Sequence, residues 1–429
     1  MERRRFPRVT ACLPARYWLS SQSPSESRPV LMEDISEGGA RLSTTEPLMI
    51  GQKIRFVFDG NQSRQSLSEL SGMVAWQENI VDYSNGDSRD TGITFVPNDP
   101  ITKNRIKQWL LKREVVPRPQ LDEAEPSTRI ESAYDSSTVT FKVLRAFGWG
   151  PLINLGYFRF PSPLSALNLL YNFAFLKTAN MLPRAQVRLA RKSFEFLDIQ
   201  AEDDVLDIAC GRGYGSFMMA CSYPKSRVTG IDLLTNHIRV ASALYGNVGN
   251  LRFKYGDALS LPFESVSFDK VLCLEAAFHF ADRGRFLKEA YRVLKEDGRL
   301  VVVDFAWKTE EDRRILEDEP TRFVRREWQW DDFFSVGEYL RSATSVGFEV
   351  EGCHKWGRKV TGPIQCIFNT IGEAGRWSWS RTVIHRSNPL LYSLTDNDWA
   401  NLRYSARAHN YVRRHVEYLV LVLKKTSGK

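Results

Sequence analysis

A glycine-rich turn near the middle of the chain is the first feature with a clear chemical use. It follows a strand-like apolar run and reads Val205-Leu206-Asp207-Ile208-Ala209-Cys210-Gly211-Arg212-Gly213-Tyr214-Gly215. Glycines here let a ligand approach the backbone, and a helix starting at the turn offers free N–H groups. The G-x-G-x-G spacing differs from the G-x-G-x-x-G of dinucleotide enzymes. The turn therefore predicts a ligand site and disfavours a dehydrogenase.

Acidic residues end the next two strand-like segments. Asp232-Leu233 closes one segment, and Asp257-Ala258 follows the other. A carboxylate at the first position can hold ribose hydroxyls, and one at the second can accept a hydrogen bond from an adenine amino group. The turn and the two carboxylates together predict a site for a ligand that contains a nucleoside.

This ordered set resembles the class I S-adenosylmethionine-dependent methyltransferases, over about residues 140–425. The resemblance implies S-adenosylmethionine as cofactor, with its methionine end near the glycine turn and the loop at Glu275. Asn154-Leu155-Gly156-Tyr157 is similar to the segment that opens the catalytic domain of one group of these enzymes, which implies that Tyr157 lies near the sulfonium. The cofactor-binding residues that the resemblance implies are Asp207, Gly211, Gly213, Gly215, Asp232, Leu233, Asp257, Ala258, Glu275 and Tyr157.

A second part of the resemblance covers residues 275–304. It is similar to methyltransferases of natural-product sugars, polyketides and quinone-like rings. In the sugar O-methyltransferases a histidine and an aspartate form a base dyad, and His279 and Asp304 occupy those positions here. A hydroxyl acceptor is a poor nucleophile until it loses its proton, which a histidine can take while an aspartate orients its ring. The alternative is a structural loop histidine and a carboxylate that caps a turn.

The N-terminal zone contains a different constellation. Arg4 and Arg8 are spaced R-x-x-x-R, and residues 34–39 read Asp34-Ile35-Ser36-Glu37-Gly38-Gly39. The pair resembles the PilZ domain, the bacterial receptor for cyclic di-GMP, over roughly residues 1–115. Arginine forks match phosphate and guanine edges. The resemblance therefore implies cyclic di-GMP binding by Arg4, Arg8, Asp34, Ser36 and Gly39, whereas the alternative is a solvated arginine tail and a plain turn.

Short strands separated by turn signals must position the N-terminal residues. Such spacing predicts a small antiparallel β-barrel, closed by a helix at residues 102–113. The predicted strands are residues 10–19, 30–35, 39–42, 53–58, 70–77 and 91–95.

Alternating strands and helices follow from about residue 140, which predicts an α/β Rossmann-like, doubly wound parallel sheet. Residues 163–197 are predicted to be helical ahead of it. The expected domains are a PilZ-like barrel at 1–115, a Pro- and acid-rich linker at 116–137 and a methyltransferase domain at 138–429. An aromatic and basic segment at about 356–410 resembles an acceptor-side lid, and Trp328 and Trp330 precede it.

Composition narrows the function classes. The net charge is +8, six cysteines are scattered without a Cys-x-x-Cys pair, and neither a metal site nor a disulfide framework is expected. The apolar runs are too short for a membrane helix, and the charged start of the chain is not a secretory signal. We expect a cytoplasmic protein without a stable nucleic-acid or membrane partner.

The sequence therefore predicts a cyclic di-GMP-responsive methyltransferase that acts on a small molecule, with oxygen as the expected methyl acceptor. Two alternatives remain open. One is a signalling adaptor with a catalytically silent methyltransferase-like domain. The other is a protein or nucleic-acid methyltransferase, which is disfavoured because Glu275-Ala276-Ala277-Phe278 replaces the Asn/Asp-Pro-Pro-Tyr signature.

Overall fold

The chain divides into two compact units, which are described separately. The computed structural model describes residues 9–36, 39–44, 48–58, 70–79, 89–95, 140, 143–144, 152–158, 181–330, 332–387, 391 and 394–426. The expected helix at 102–113, the linker at 116–137 and the first part of the helix expected at 163–197 lie outside these residues.

The N-terminal unit contains a closed antiparallel barrel, as the strand spacing predicted. Its strands are β1 (Val9–Leu19), β2 (Arg28–Ser36), β3 (Gly39–Thr44), β4 (Lys53–Phe58), β5 (Leu70–Asn79) and β6 (Arg89–Phe95). They close in the order β1-β2-β3-β6-β5-β4. Alternate residues such as Val30 and Met32, or Ile54 and Phe56, are buried inside the barrel. This period of two is what a barrel wall requires, because successive side chains point to opposite faces.

A seven-stranded sheet forms the centre of the C-terminal unit. Its strands are β7 (Asp204–Ile208), β8 (Arg227–Asp232), β9 (Leu251–Tyr255), β10 (Phe268–Leu274), β11 (Leu294–Trp307), β12 (Phe348–Lys355) and β13 (Val416–Lys425). The order is β12-β13-β11-β10-β7-β8-β9, with β13 antiparallel to both of its neighbours. The Rossmann-like expectation is confirmed.

Nine described helices accompany the sheet. They are α1 (Met181–Leu197), α2 (Tyr214–Ser222), α3 (Thr235–Tyr245), α4 (Arg283–Val293), α5 (Glu319–Trp328), α6 (Val336–Val346), α7 (Thr361–Ala374), α8 (Ser378–Ser387) and α9 (Asp396–Arg413). Local signals set several ends. Asp282 and Ser335 cap α4 and α6, and Gly347 ends α6 with a φ of 115°. In the described ranges, no helix has both the length and the apolar character needed to cross a membrane.

The segment between β12 and β13 consists largely of helices α7, α8 and α9. Its core holds Trp399, Ile371 and Leu402, all essentially inaccessible to solvent. Most of the aromatics in the predicted lid therefore serve helix packing or face solvent. This insertion matters for the site because α7 and α9 supply one part of a cavity wall.

Candidate functional site

The glycine turn after β7 has an unusual backbone. Ala209, Gly211 and Gly213 have φ values of 58°, 57° and 80°. Gly213 is also the N-cap of α2 and leaves the start of this helix without a side-chain cap. Such a strand–turn–helix connection presents free backbone donors towards a ligand.

The glycines of the turn have different packing constraints. A Cβ on Gly213 would lie 2.6 Å from the Cβ of Ala241 and 2.7 Å from the ring of Phe253. A Cβ on Gly215 would lie no closer than 3.7 Å to any neighbour, and that neighbour is Asp207 Oδ2. Gly213 is therefore required by the fold, whereas the space beside Gly215 is open towards a carboxylate.

Asp207 is a buried carboxylate beside this turn. Its side chain is only 4% exposed, and it accepts a hydrogen bond of 2.6 Å from Ser216 Oγ. Burial raises the pKa of Asp207 to about 7, an effect that the Ser216 bond opposes and the nearby Asp232 carboxylate reinforces. Burial and the same two carboxylates also raise the pKa of the Cys210 thiol.

Asp232, at the end of β8, is held by the turn itself. Its Oδ2 accepts the N–H of Gly211 at 2.8 Å, and its Oδ1 accepts the N–H of Leu234 at 2.9 Å. His237 Nδ1 lies 3.2 Å from the same Oδ1, while Leu233 is exposed. The carboxylate thus joins two strand ends at one edge of the sheet, where sequence analysis placed it.

The turn after β9 holds the other adenosine-side candidates. Asp257 Oδ1 accepts the N–H of Leu259 at 2.8 Å, which shapes a tight turn with Ser260. Ala258 is buried against the core. Asp257 is half-buried and lies at the same sheet edge as Asp232, since β8 and β9 are parallel neighbours.

Glu275 follows β10 with a φ of 49° and is 8% exposed. Both of its oxygens lie 3.1 Å from the backbone nitrogen of Leu155, and Tyr418 Oη donates to Oε1. Burial raises the pKa of Glu275 to about 7, although these hydrogen bonds oppose the shift. Leu155 belongs to residues 152–158, so Glu275 ties that segment to the end of the sheet.

These carboxylates carry more negative charge than the described residues around them neutralise. The described partners of Asp207 and Glu275 are hydroxyl and amide groups rather than cations. A ligand that brings positive charge would remove the desolvation penalty that raises both pKa values. The carboxylates of Asp207 and Glu275 therefore suit a ligand with ammonium and sulfonium groups. Within the described ranges, no three His, Cys, Asp or Glu residues are grouped as metal ligands.

The ring of Tyr157 packs against an aromatic side chain and a lysine. Its ring packs edge-on against Trp356 with centroids 5.1 Å apart, and Lys192 of α1 lies over it at 5.5 Å. It is not among the side chains that line the cavity described below. The neighbouring Leu155 and Ile153 do line the cavity, and the nearness of Tyr157 to the sulfonium stays a prediction.

The structure gives the two residues of the expected dyad, Asp304 and His279, the following contacts. Asp304 is fully buried, accepts a hydrogen bond from Tyr339 Oη and lies 3.6 Å from Arg283 Nε. Burial raises its pKa, with Arg283 and Tyr339 opposing the shift. His279 instead places Nδ1 3.3 Å from the carbonyl oxygen of Gln329. Asp304 therefore belongs to a buried polar cluster, and neither residue lines the cavity.

A cavity of about 1080 Å³, including its open mouth, lies beside Glu275. Its wall is mainly aromatic and aliphatic. The aromatic members are Phe278, Phe305, Trp328, Trp330, Phe333, Phe368 and Tyr418. Ile153 also lines it, and the Cδ1 of Ile153 is the atom nearest to a Cβ built on Gly211, at 3.5 Å. Residues 152–158 thus connect the glycine turn with an apolar chamber suited to a small organic molecule.

Sequence reasoning missed the histidine of this cavity. His409 on α9 lines it together with Trp328, whose indole N–H donates to His409 Nε2 at 2.8 Å. Trp328 and Trp330 stand out in the sequence as aromatic residues ahead of the predicted lid. The hydrogen-bond partner of Trp328, His409, is 81 residues away in the sequence. No local pattern encodes such a contact.

The candidate ligand residues of the barrel are only partly described. Arg4 and Arg8 lie outside the described residues. Asp34 and Ser36 are on β2, opposite Arg41 and Gly39 of β3. A Cβ on Gly39 would lie 2.1 Å from the carbonyl oxygen of Ile93, so the close approach of β6 explains this glycine without a ligand.

Comparison with known families gives two matches. Residues 2–112 match the PilZ domain, and residues 206–302 match a methyltransferase domain. The second match begins within β7 and ends within β11, so it includes the glycine turn, Asp232, Asp257 and Glu275.

Curated relatives match the C-terminal part of the chain. Erythromycin 3''-O-methyltransferase of Saccharopolyspora erythraea is 34% identical over 182 residues, which is 42% of this chain and 53% of that protein. The 27-O-demethylrifamycin SV methyltransferase of Amycolatopsis mediterranei is 36% identical over 127 residues, 29% and 46% of the two chains. The chain thus spans about half the length of the curated relatives that it matches.

Solved structures share the fold of the C-terminal unit. The [4+2]-cyclase SpnF superposes with a TM-score of 0.50 and 17% identity over 70% of this chain and 98% of the other. A putative sarcosine dimethylglycine methyltransferase from Galdieria sulphuraria gives 0.50 and 16% over 66% and 97%. At this identity the likeness concerns the fold alone. Residues 2–112 of the chain are therefore similar to the PilZ domain, and residues 206–302 are similar to a methyltransferase domain within a unit of Rossmann-like fold.

Proposed function

We propose that the C-terminal unit transfers a methyl group from S-adenosylmethionine to a small, largely apolar molecule, at oxygen. The observation that carries this proposal is the junction of two environments. A turn lined by buried carboxylates lies on one side of residues 152–158, and an aromatic cavity lies on the other. One environment fits a cationic nucleoside donor, and the other fits an acceptor.

The residues divide between the parts of the donor. Asp207 and Glu275 would hold its positive charge, Asp232 and Leu233 its ribose, and Asp257 and Ala258 its adenine. When bound, S-adenosylmethionine supplies a methyl group already activated on a sulfonium. The protein then has to align the acceptor, exclude water and remove a proton. The apolar cavity wall performs the first two tasks.

Oxygen is favoured as the acceptor atom by the relatives. Two of them are named for O-methylation or for an O-demethylated substrate. A third, from Synechocystis, is named for a methyl-phytyl hydroquinone. An apolar cavity that contains few charged groups suits molecules of this kind.

The decisive experiment uses radiolabelled S-adenosylmethionine, the full-length protein and fractionated bacterial extract. Label in a small organic product supports the proposal. Label in protein or nucleic acid would show that the substrate is a macromolecule and would contradict the proposed small-molecule acceptor. Cofactor binding without transfer to any fraction would favour the signalling adaptor, in which the domain is catalytically silent. This outcome has to be tested because a solved structure with the same fold is named as a cyclase, so the fold alone does not establish methyl transfer.

We further propose that cyclic di-GMP controls this activity through the PilZ domain. The support is the domain match, the R-x-x-x-R and D-x-S-x-x-G motifs in the sequence, and the closed barrel that the described N-terminal strands form. Control requires that cyclic di-GMP bind two states of the protein with different affinity. Arg4→Ala and Arg8→Ala should each weaken binding at least about tenfold, because each removes a charge-assisted contact to phosphate or guanine.

Arg55→Ala is the matched control, because Arg55 is an exposed arginine on β4 outside the two motifs. Its affinity for cyclic di-GMP should equal that of the wild type. Turnover is then measured with and without the dinucleotide in all four proteins. Equal turnover despite demonstrated binding would refute control while leaving the receptor assignment in place.

A further inference from the structure

Two hydrogen bonds of His409 indicate which of its ring nitrogens carries the hydrogen atom. Nδ1 lies 2.8 Å from the carbonyl oxygen of Ser405, which can only accept, so Nδ1 carries the proton. Nε2 receives the indole N–H of Trp328, which can only donate, so Nε2 carries the lone pair. In this tautomer the Nε2 lone pair of His409 is directed at Trp328, a tryptophan of the cavity wall.

A buried carboxylate stands next to that basic nitrogen. Glu327 Oε2 lies 3.6 Å from His409 Nε2, and the Glu327 side chain is only 9% exposed. Thr140 Oγ1 donates to its Oε1 at 2.5 Å, and Ser405 Oγ lies 3.2 Å from its Oε2. Both hydroxyl residues are buried. The carboxylate is thus held where it can stabilise a proton that arrives on Nε2.

The cavity offers few competing bases. Its other titratable wall residues in the described ranges are Glu275 after β10, Tyr418 on β13 and Arg413 on α9. Glu275 and Tyr418 are hydrogen-bonded to each other, and an arginine does not act as a base at ordinary pH. His409 is the lining imidazole, and 26% of its side chain is exposed.

We propose that His409 is the general base for the acceptor hydroxyl, with Glu327 as its positioning residue. This rests on the function proposed above and assigns a residue that the matched motifs do not contain. The acceptor hydroxyl displaces the Trp328 N–H from Nε2 and occupies the same direction. Its proton passes to the Nε2 lone pair, while Nδ1–H stays bonded to Ser405. The freed oxygen pair forms the bond to the methyl carbon as the carbon–sulfur bond breaks and its pair stays on sulfur.

The first test needs no cofactor and uses 4-nitrophenol, a flat phenol whose absorption changes when it ionises. Bound to the wild type, it should ionise at lower pH than in His409→Gln, by about one pH unit or more, since a tenfold change in proton affinity equals one unit. His354→Gln, at an exposed histidine of β12 outside the cavity wall, is the matched control and should behave as the wild type. No binding, or equal ionisation in wild type and His409→Gln, would overturn the proposal.

The second test uses the labelled acceptor from the extract experiment and the pH profile of kcat/KM. The wild type should lose rate on the acid side as an imidazole takes up a proton. Trp328→Phe removes a donor that favours the unprotonated ring, so this limb should move to higher pH. Glu327→Gln removes the neighbouring negative charge, so the acid limb of the profile should move to lower pH. A purely structural histidine predicts neither shift.

The two proposals fail separately. Methyl transfer with an unchanged rate in His409→Gln would overturn the base assignment and leave the methyltransferase intact. Phenol ionisation that depends on His409, without methyl transfer to any fraction, would support the base and overturn the function. If His409→Gln does not fold, the opposite shifts of Trp328→Phe and Glu327→Gln decide the question.

Discussion

Both carboxylate oxygens of Glu275 lie 3.1 Å from the backbone nitrogen of Leu155, so the end of β10 holds residues 152–158 in place. This segment separates the glycine turn from the aromatic cavity. Gln186 of α1 also holds the segment, because its Nε2 donates to the carbonyl oxygens of Leu152 and Asn154. The same carboxylate is one of the two groups proposed to face the positive charge of the donor.

Replacing Glu275 separates these two roles. Glu275→Gln keeps an oxygen for the Leu155 N–H but loses the charge, so it should fold normally and bind S-adenosylmethionine at least about tenfold more weakly. Glu275→Ala leaves the N–H and the Tyr418 hydroxyl without an acceptor and should lose about 1–3 kcal/mol of unfolding free energy. Denaturation and calorimetry measure both. Wild-type affinity in Glu275→Gln would show that the charge is not used.

Cofactor affinity should depend on pH. The pKa values of Asp207 and Glu275 are raised to about 7 by burial, and a cationic ligand binds their ionised forms. Affinity should therefore rise between pH 6 and pH 8, and binding near pH 7 should release protons to the buffer. Calorimetry in two buffers of different ionisation heat measures the release. Asp207→Asn should flatten the profile.

The raised pKa of Asp207 also makes the stability of the ligand-free protein depend on pH, and this stability should fall as the pH rises. The pKa of Asp207 is higher in the folded state than in the unfolded state. Its contribution to stability is therefore complete below the unfolded-state pKa and is lost as the pH rises through about 7. Asp207→Asn should consequently be more stable than the wild type at pH 8. Exposed Asp297→Asn provides the control and should leave both profiles unchanged.

The glycines of the turn should respond differently to alanine. Gly213→Ala forces a φ of 80° on a residue whose Cβ meets Ala241 and Phe253, and it should cost about 2–4 kcal/mol. Gly215→Ala meets nothing closer than 3.7 Å, so stability should stay within about 1 kcal/mol while cofactor affinity falls. Normal affinity in a folded Gly215→Ala protein would move the donor away from α2.

Asp304 should behave as a structural residue. Asp304→Asn leaves the buried Arg283 without its counter-charge, and we expect a loss of about 3 kcal/mol. His279→Gln should keep both stability and turnover within severalfold of the wild type. Denaturation curves and initial rates provide the measurements. A stable Asp304→Asn protein whose turnover collapses together with that of His279→Gln would restore the dyad.

Sequence reasoning succeeded where chemistry follows local pattern. The strands of both units, the glycine turn and the carboxylates at strand ends were all readable, because period, turn residues and strand termini are local properties. It did not anticipate the contacts of Asp304 and His409. Asp304 pairs with Tyr339 across 35 residues, and His409 pairs with Trp328 across 81. Such partners are chosen by the packing of helices on the sheet, which a motif does not contain.

The central claim is that two buried carboxylates beside the glycine turn receive a positively charged methyl donor. Calorimetric titration of the full-length protein with S-adenosylmethionine at pH 8 tests it most directly. We predict one saturable site per chain, weakened at least about tenfold by Asp207→Asn and by Glu275→Gln. The absence of binding in the wild type, or unchanged binding in both variants, would contradict the account.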